Sequence, residues 1–144
     1  MKQTRTQERN RDFMAACRRK KSEIMARDGH LDVDTIVEEV LNESAPSYYI
    51  SYARALRNVR PLMRDNIIPT RRRRTDRMAL ELAGKCRRII EERNGKLTLG
   101  EALARVLTGE RASGYFISST YARRLYFRVF SERCRSRRRS RRLL

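Results

Sequence analysis

Apolar residues along this chain recur at helical rather than strand spacing. From Asn10 to Asp28, Phe13, Met14, Cys17, Ile24 and Met25 keep mostly to one face, which predicts a helix stopped by Gly29. The stripe is interrupted at Lys20-Lys21. Val33, Ile36, Val37, Val40 and Leu41 then fall at i, i+3, i+4, i+7 and i+8, the stripe of a core-facing helix, with Asp32 as its cap. Pro46 bars simple continuation, and the β-prone Tyr48-Tyr49-Ile50 predicts a short extended segment. Ser51 caps a third helix with Tyr52, Leu56, Val59 and Met63 on its inner side and Pro61 as a kink or an end.

The order of elements then recurs. A helix over roughly Asp76 to Arg93 carries Ala79, Leu82, Ala83, Cys86, Ile89 and Ile90, and Asn94-Gly95 ends it. Thr98 with Glu101 three residues on forms a capping box for the next helix. A last helix, about Thr120 to Arg135, places Tyr121, Leu125 and Val129 inside. Leu99, Ala102, Leu103, Val106 and Leu107 stand 66 residues after Val33, Ile36, Val37, Val40 and Leu41. The offset grows to 67 at Tyr48/Tyr115 and 69 at Tyr52/Tyr121, which implies small turn insertions. The duplicated core stretch is Ser44 to Arg64 against Glu110 to Phe130: a small-residue turn, aromatics, Ile-Ser, Tyr-Ala-Arg and a basic helix.

These patterns predict an all-α fold of two quasi-repeated three-helix units sharing a core. The expected divisions are a flexible arm over 1–10, a first repeat over 11–68 and a basic linker over 69–77. A second repeat follows over 78–131, then an Arg/Ser-rich tail over 132–144 whose self-repulsion favours disorder. Pairing of Tyr48–Ile50 with Tyr115–Ile117 would add a two-stranded ribbon.

Charge changes the picture most. The chain has 35 Lys and Arg against 17 Asp and Glu, a net +18, and only five of the cations are lysines. So strong a field belongs against a polyanion, and the planar Arg fork grips phosphate bidentately where Lys cannot. Arg54, Arg57, Arg60 and Arg64 recur at spacings of 3, 3 and 4 on the first basic helix. Arg123, Arg124 and Arg128 do so on the second. Arg71, Arg72, Arg73 and Arg74 make the linker, and Arg135, Arg137, Arg138 and Arg139 populate the tail. These are the candidate phosphate contacts. Asp34, Glu38, Glu39 and Glu43 give the second helix an acidic outer face, which either balances the chain's own arginines or holds phosphate away. The corresponding helix of the second unit carries Arg105 and fewer acids, so the second unit and the tail are expected to supply more of the affinity.

Catalytic chemistry has little to build on. Ser51, Ser118 and Ser119 read as caps, since the lone His30 is far from each. Glu38 and Glu39 are adjacent and diverge on a helix, and no Gly-rich phosphate loop is present. Three scattered cysteines, Cys17, Cys86 and Cys134, argue against a disulfide framework, and with one histidine against zinc. No enzyme activity, cofactor or metal is expected. Without an apolar leader or a ~20-residue apolar run, the chain is expected to be intracellular, with no membrane partner. Its expected place is the cytoplasm, with the nucleoid or nucleus if DNA-bound.

An apolar helix, a turn and a basic helix is the order used by helix-turn-helix proteins, and the resemblance is loose. The connection from Glu43 to Ser51 is longer than their usual three or four residues. The expectation is a non-enzymatic nucleic-acid-binding protein, DNA favoured over RNA, gripping phosphates through Arg-rich helices, linker and tail. An RNA-binding or ribosome-associated protein is the alternative within that class. A basic scaffold for an acidic protein partner, with homo-oligomers allowed, is the alternative outside it. The aromatics Tyr48, Tyr49, Tyr115 and Phe116 divide between core filling and stacking platforms, core filling being the commoner use; Tyr52 and Tyr121 are expected in the core.

Overall fold

The computed structural model describes residues 4–29, 32–64 and 74–142, with side chains described as far as residue 139. Among these residues the chain is all-helical, with no strand: α1 (Arg5–Asp28), α2 (Val33–Leu41), α3 (Tyr52–Arg64), α4 (Arg74–Glu92), α5 (Leu99–Gly109) and α6 (Ser119–Arg142).

Side-chain caps set most of the helix starts. Asp32 accepts from the Asp34 amide (3.2 Å) and the Thr35 hydroxyl (3.1 Å). Thr98 Oγ1 accepts from the Glu101 amide at 3.2 Å. Ser51 Oγ accepts from the Arg54 amide at 3.3 Å, and Ser118 Oγ from the Tyr121 amide at 2.9 Å. Each amide so bonded has no partner inside its own helix.

Helix α1 departs from expectation, because it begins at Arg5, inside the segment 1–10 read as an arm. Thr4 and Gln7 cap it reciprocally: the Gln7 amide donates to Thr4 Oγ1 (3.1 Å) and the Thr4 amide to Gln7 Oε1 (2.9 Å). This is a capping box, written in the sequence as Thr-Arg-Thr-Gln. Helix α3 runs through Pro61 to Arg64. Pro61 lies on the exposed side, so the Arg57 carbonyl that it leaves without an amide partner faces water. Near the end of α3, Arg87 Nη2 donates to the Leu62 carbonyl at 2.9 Å. Helix α6 continues to Arg142, through the stretch read as a tail.

The chain gathers into two compact units that do not follow its order: Met1–Arg9 with Ser44–Phe116, and Asn10–Glu43 with Ile117–Leu144. In the first, α3, α4 and α5 pack on one another. Ala55, Val59 and Leu62 are the buried face of α3, so its inner stripe is rotated from the expected Tyr52, Leu56, Val59 and Met63. Tyr52 is 44% exposed. Its hydroxyl reaches the surface of α5, where a Cβ on Gly100 would stand 2.7 Å from it.

The ribbon expected at Tyr48–Ile50 reduces to a single antiparallel bridge three residues earlier. The Ala45 amide donates to the Ala112 carbonyl (3.0 Å) and the Ala112 amide to the Ala45 carbonyl (3.1 Å). Both alanines are fully buried. Beside the bridge, Glu81 of α4 accepts from the Ser113 amide (3.1 Å) and hydroxyl (3.0 Å). Lys85 Nζ donates to the Arg111 carbonyl at 2.7 Å, pairs with Glu110 at 3.5 Å and stands 4.9 Å from the centre of the Tyr48 ring. The segment 110–116 is thus fastened to α4 by several charge-assisted bonds.

In the second unit α2 packs on α6. The gap at Lys20 in the α1 stripe is filled by ion pairs: Lys20 Nζ engages Glu43, Glu23 (3.0 Å) and Glu39 (4.0 Å). Arg27 adds a second pair to Glu39 at 3.4 Å. Phe13, Met14, Ala16, Cys17 and Ile24 are buried on α1, whereas Met25 is 45% exposed. On α6, Ala122 and Leu125 are buried. Tyr121, expected in the core, is 37% exposed, and its hydroxyl accepts from Asn10 Nδ2 at 3.1 Å.

The caps also explain this second departure. Ser51 and Ser118 are 67 residues apart, as are the buried Ala55 and Ala122. Tyr52 is therefore the first residue after its cap and Tyr121 the third. The shared letters Tyr-Ala-Arg, 69 apart, occupy different helical positions.

Candidate nucleic-acid interface

On α3, Arg54, Arg57, Arg60 and Arg64 are all exposed. At 100° per residue they centre roughly opposite Ala55, Val59 and Leu62, so packing of the apolar face fixes where the arginines point. The helix contains no carboxylate. Arg54, Arg57 and Arg60 form no ion pair among the described residues. From Arg54 to Arg64 the row spans about 15 Å at 1.5 Å per residue.

On α6 the predicted trio divides. Arg124 and Arg128 are exposed, whereas Arg123 is half-buried and pairs with Asp34 of α2 at 3.5 Å. Arg123 thereby fastens α6 to α2, and part of the acidic face of α2 is spent inside the protein. Asp34, Glu39 and Glu43 all bind cations of α1 or α6. Arg135, Arg137, Arg138 and Arg139 are exposed on the distal part of α6, a stretch of one sign. Of the linker arginines, Arg74 opens α4; Arg71, Arg72 and Arg73 lie outside the described residues, as does His30. The two helices in helix-turn-helix order, α2 and α3, fall in different compact units.

Sequence reasoning missed a cleft in the first unit of about 310 Å³. Arg5, Arg9, Arg54 and Arg74 line it together with Tyr49 and Phe116, and its lining carries no carboxylate. Its walls come from the first turns of α1, α3 and α4, with Thr6, Ser51 and Thr75 adding hydroxyls. Tyr115 lines the cleft as well. Tyr115 is buried, and its ring lies parallel to that of Tyr49, 8° apart in plane and 6.2 Å between centres. Tyr49 and Phe116 both have left-handed backbone, φ 27° and 55°. For residues with a Cβ this costs about 1–3 kcal/mol each. The Ala45–Ala112 bridge and the Glu81–Ser113 bonds hold the two segments there.

Tyr48, three residues from the bridge, is core: it is buried, and desolvation pushes its phenol up, with Glu81 and Glu110 adding to the effect. Among the described residues no group of His, Cys, Asp and Glu could hold a metal, and no helix is long and apolar enough to cross a membrane. No protein-family model, curated protein or solved structure matches the chain.

Proposed function

We propose that this is a non-enzymatic nucleic-acid-binding protein that grips phosphates through arginines fixed on helices, with duplex DNA the favoured polymer. The observation that carries the reading is the arginine row of α3. Its guanidinium groups stand on the solvent face of a packed helix that has no carboxylate, and three of them have no ion pair among the described residues. Elsewhere the chain neutralises several of its acids with its own cations: Lys20 and Arg27 on α1, Lys85 and Arg88 on α4, Arg123 on α6. The remaining positive charge on α3 and distal α6 is a surplus available to an outside polyanion. A row fixed at regular helical spacing suits a regularly spaced phosphate backbone, which favours DNA over folded RNA.

The finer architecture belongs to the same proposal. We read the chain as two quasi-repeats whose third helices are exchanged, α3 completing α4 and α5 while α6 joins α1 and α2. Caps 67 residues apart, buried alanines at the same offset and the reciprocal Ala45–Ala112 bridge support it. The Arg/Ser-rich tail belongs to the same reading: distal α6, all of one sign, is helical when a polyanion neutralises it and frays without one.

The test is binding to random duplex DNA and to structured RNA across a salt series. Contact with ~6 to 10 phosphates lowers affinity about 10³- to 10⁵-fold between 50 and 200 mM salt. The double variant Arg57→Ala/Arg60→Ala should weaken binding to all sequences alike and lower the salt slope by about 2, with helical circular dichroism unchanged. Tighter binding of structured RNA would replace DNA by RNA. Absence of binding to both polymers at physiological salt would overturn the reading in favour of a scaffold for an acidic protein.

A further inference from the structure

We infer that the cleft between the first turns of α1, α3 and α4 binds a single nucleotide by its phosphate and base. The inference rests on the nucleic-acid reading and names the chemistry of one site within it.

Three features converge on this ligand. The first is charge: Arg5, Arg9, Arg54 and Arg74 come from three separate helices to one cleft whose lining has no acid. Arg5 is braced by Glu8 at 3.6 Å, and Arg54 and Arg74 form no ion pair among the described residues. Arg54 and Arg74, without an ion pair in so small a volume, repel one another, and a dianionic phosphate relieves that repulsion through bidentate bonds. The three helix starts add the positive ends of their dipoles to the same space.

The second feature is the aromatic wall. Tyr49 and Phe116 line the cleft from backbone conformations that a side chain disfavours, and the ring of Tyr115, also in the lining, lies parallel to that of Tyr49. Arginines alone would suit any phosphate, whereas a planar wall beside them suits a phosphate that carries a base. The third feature is size. About 310 Å³ lies at the lower end of the range for small-molecule clefts, room for one nucleotide and not for a duplex. The phosphate belongs with Arg54 and Arg74, and the base with Tyr49 and Phe116. Such a unit is either the 5′-phosphorylated end of a strand or a free nucleoside monophosphate, because both present the same groups.

The experiment uses the full chain and three probes: a 5′-phosphorylated single-stranded oligonucleotide, the same oligonucleotide with a 5′-hydroxyl, and AMP. The phosphorylated end should bind about tenfold more tightly than the hydroxyl end, and AMP should compete for it. In Arg54→Ala/Arg74→Ala that preference should vanish, while random duplex loses no more than the one phosphate contact that Arg54 gives the α3 row. Tyr49→Leu should keep the phosphate preference and weaken AMP about tenfold, separating stacking from charge. Preference for the phosphorylated end without competition by AMP makes a strand end the ligand. Competition by AMP without an end preference makes it the free nucleotide. Equal affinity for both oligonucleotides together with no AMP binding overturns the inference, as does a preference that survives Arg54→Ala/Arg74→Ala. AMP binding by a protein that ignores duplex and RNA would leave the cleft in place and remove the nucleic-acid reading.

Discussion

Cutting the chain into residues 1–68 and 69–144 severs α3 from α4 and α5, and α6 from α1 and α2, though each piece keeps three consecutive helices. The cost can be set from burial. Val59 and Ala55 are fully buried and Leu62 is 5% exposed on α3; Ala122 is fully buried and Leu125 is 4% exposed on α6. At ~2 kcal/mol for each Val or Leu and ~1 for each Ala, these five side chains lose together about 8 kcal/mol when their partners are removed. That is an upper figure, since unfolded chains already hide part of such surface. It is nonetheless as large as the ~5–15 kcal/mol that holds a small domain together. The partner faces on α4 and α5, Leu82, Cys86 and Leu103 among them, would be uncovered as well. Neither piece should therefore fold alone. Mixed one to one at about 50 µM, they should recover the helical signal of the whole chain and a cooperative thermal transition, since each piece completes the cores that the other lacks. The assay is far-ultraviolet circular dichroism of each piece and of the mixture. A mixture equal to the sum of its parts, with residues 1–68 melting cooperatively alone, would refute the exchange of third helices.

Two glycines make a paired test. Gly95 has φ +74° with open space around its Cβ position, so Gly95→Ala should destabilise by about 1 kcal/mol through backbone strain alone. At Gly100 a Cβ would stand 2.7 Å from the tip of the half-exposed Tyr52, which can swing aside, so Gly100→Ala should leave stability within about 0.5 kcal/mol by thermal melting. The thiols give a third prediction. Desolvation pushes Cys17 up to about 12 and Cys86 up to about 11, with the Glu43 and Glu110 carboxylates respectively adding to the effect. At pH 8 a thiol reagent should label Cys134 quickly and the other two only after denaturation. Because both folded values lie above the ordinary 9.0, their contribution to stability is complete below pH 9 and is lost as pH rises toward 11 and 12. Denaturant midpoints that stay level from pH 8 to 11 would contradict this.

Helix positions were legible because periodicity and caps are local. Val33 to Leu41 and Leu99 to Leu107 carry their stripes in plain view, and Asp32, Thr98 and Ser51 mark starts by their own chemistry. The start of α1 is equally legible in Thr4 and Gln7, whose capping box is set among charged residues. The face of α3 was misjudged for a different reason. Large side chains mark a core face in the sequence, but small residues are buried as completely: Ala45, Ala55, Ala102 and Ala122 are all fully buried. A small residue carries no hydrophobic signal on its own, and only its neighbours show why it must be small.

The arginine rows could be seen in the sequence, but what each arginine does could not. Arg123 and Arg124 are adjacent in one basic run, yet the first is half-buried against Asp34 and the second is exposed, a distinction fixed by which helix packs alongside. The cleft lay further out of reach. Its four arginines come from what looked like an arm, a helix and a linker, and only the fold of the first unit brings Arg5, Arg54 and Arg74 together. That convergence also bears on what the surplus charge is for. A solvated basic face needs no fixed geometry, and guanidinium groups left to themselves spread apart. Here packed α3 holds a row in register, and Arg54 and Arg74, with no ion pair among the described residues, line a cleft beside two aromatics in unfavourable backbone conformations. Under the proposed function, an anionic ligand supplies the missing counter-charge at both.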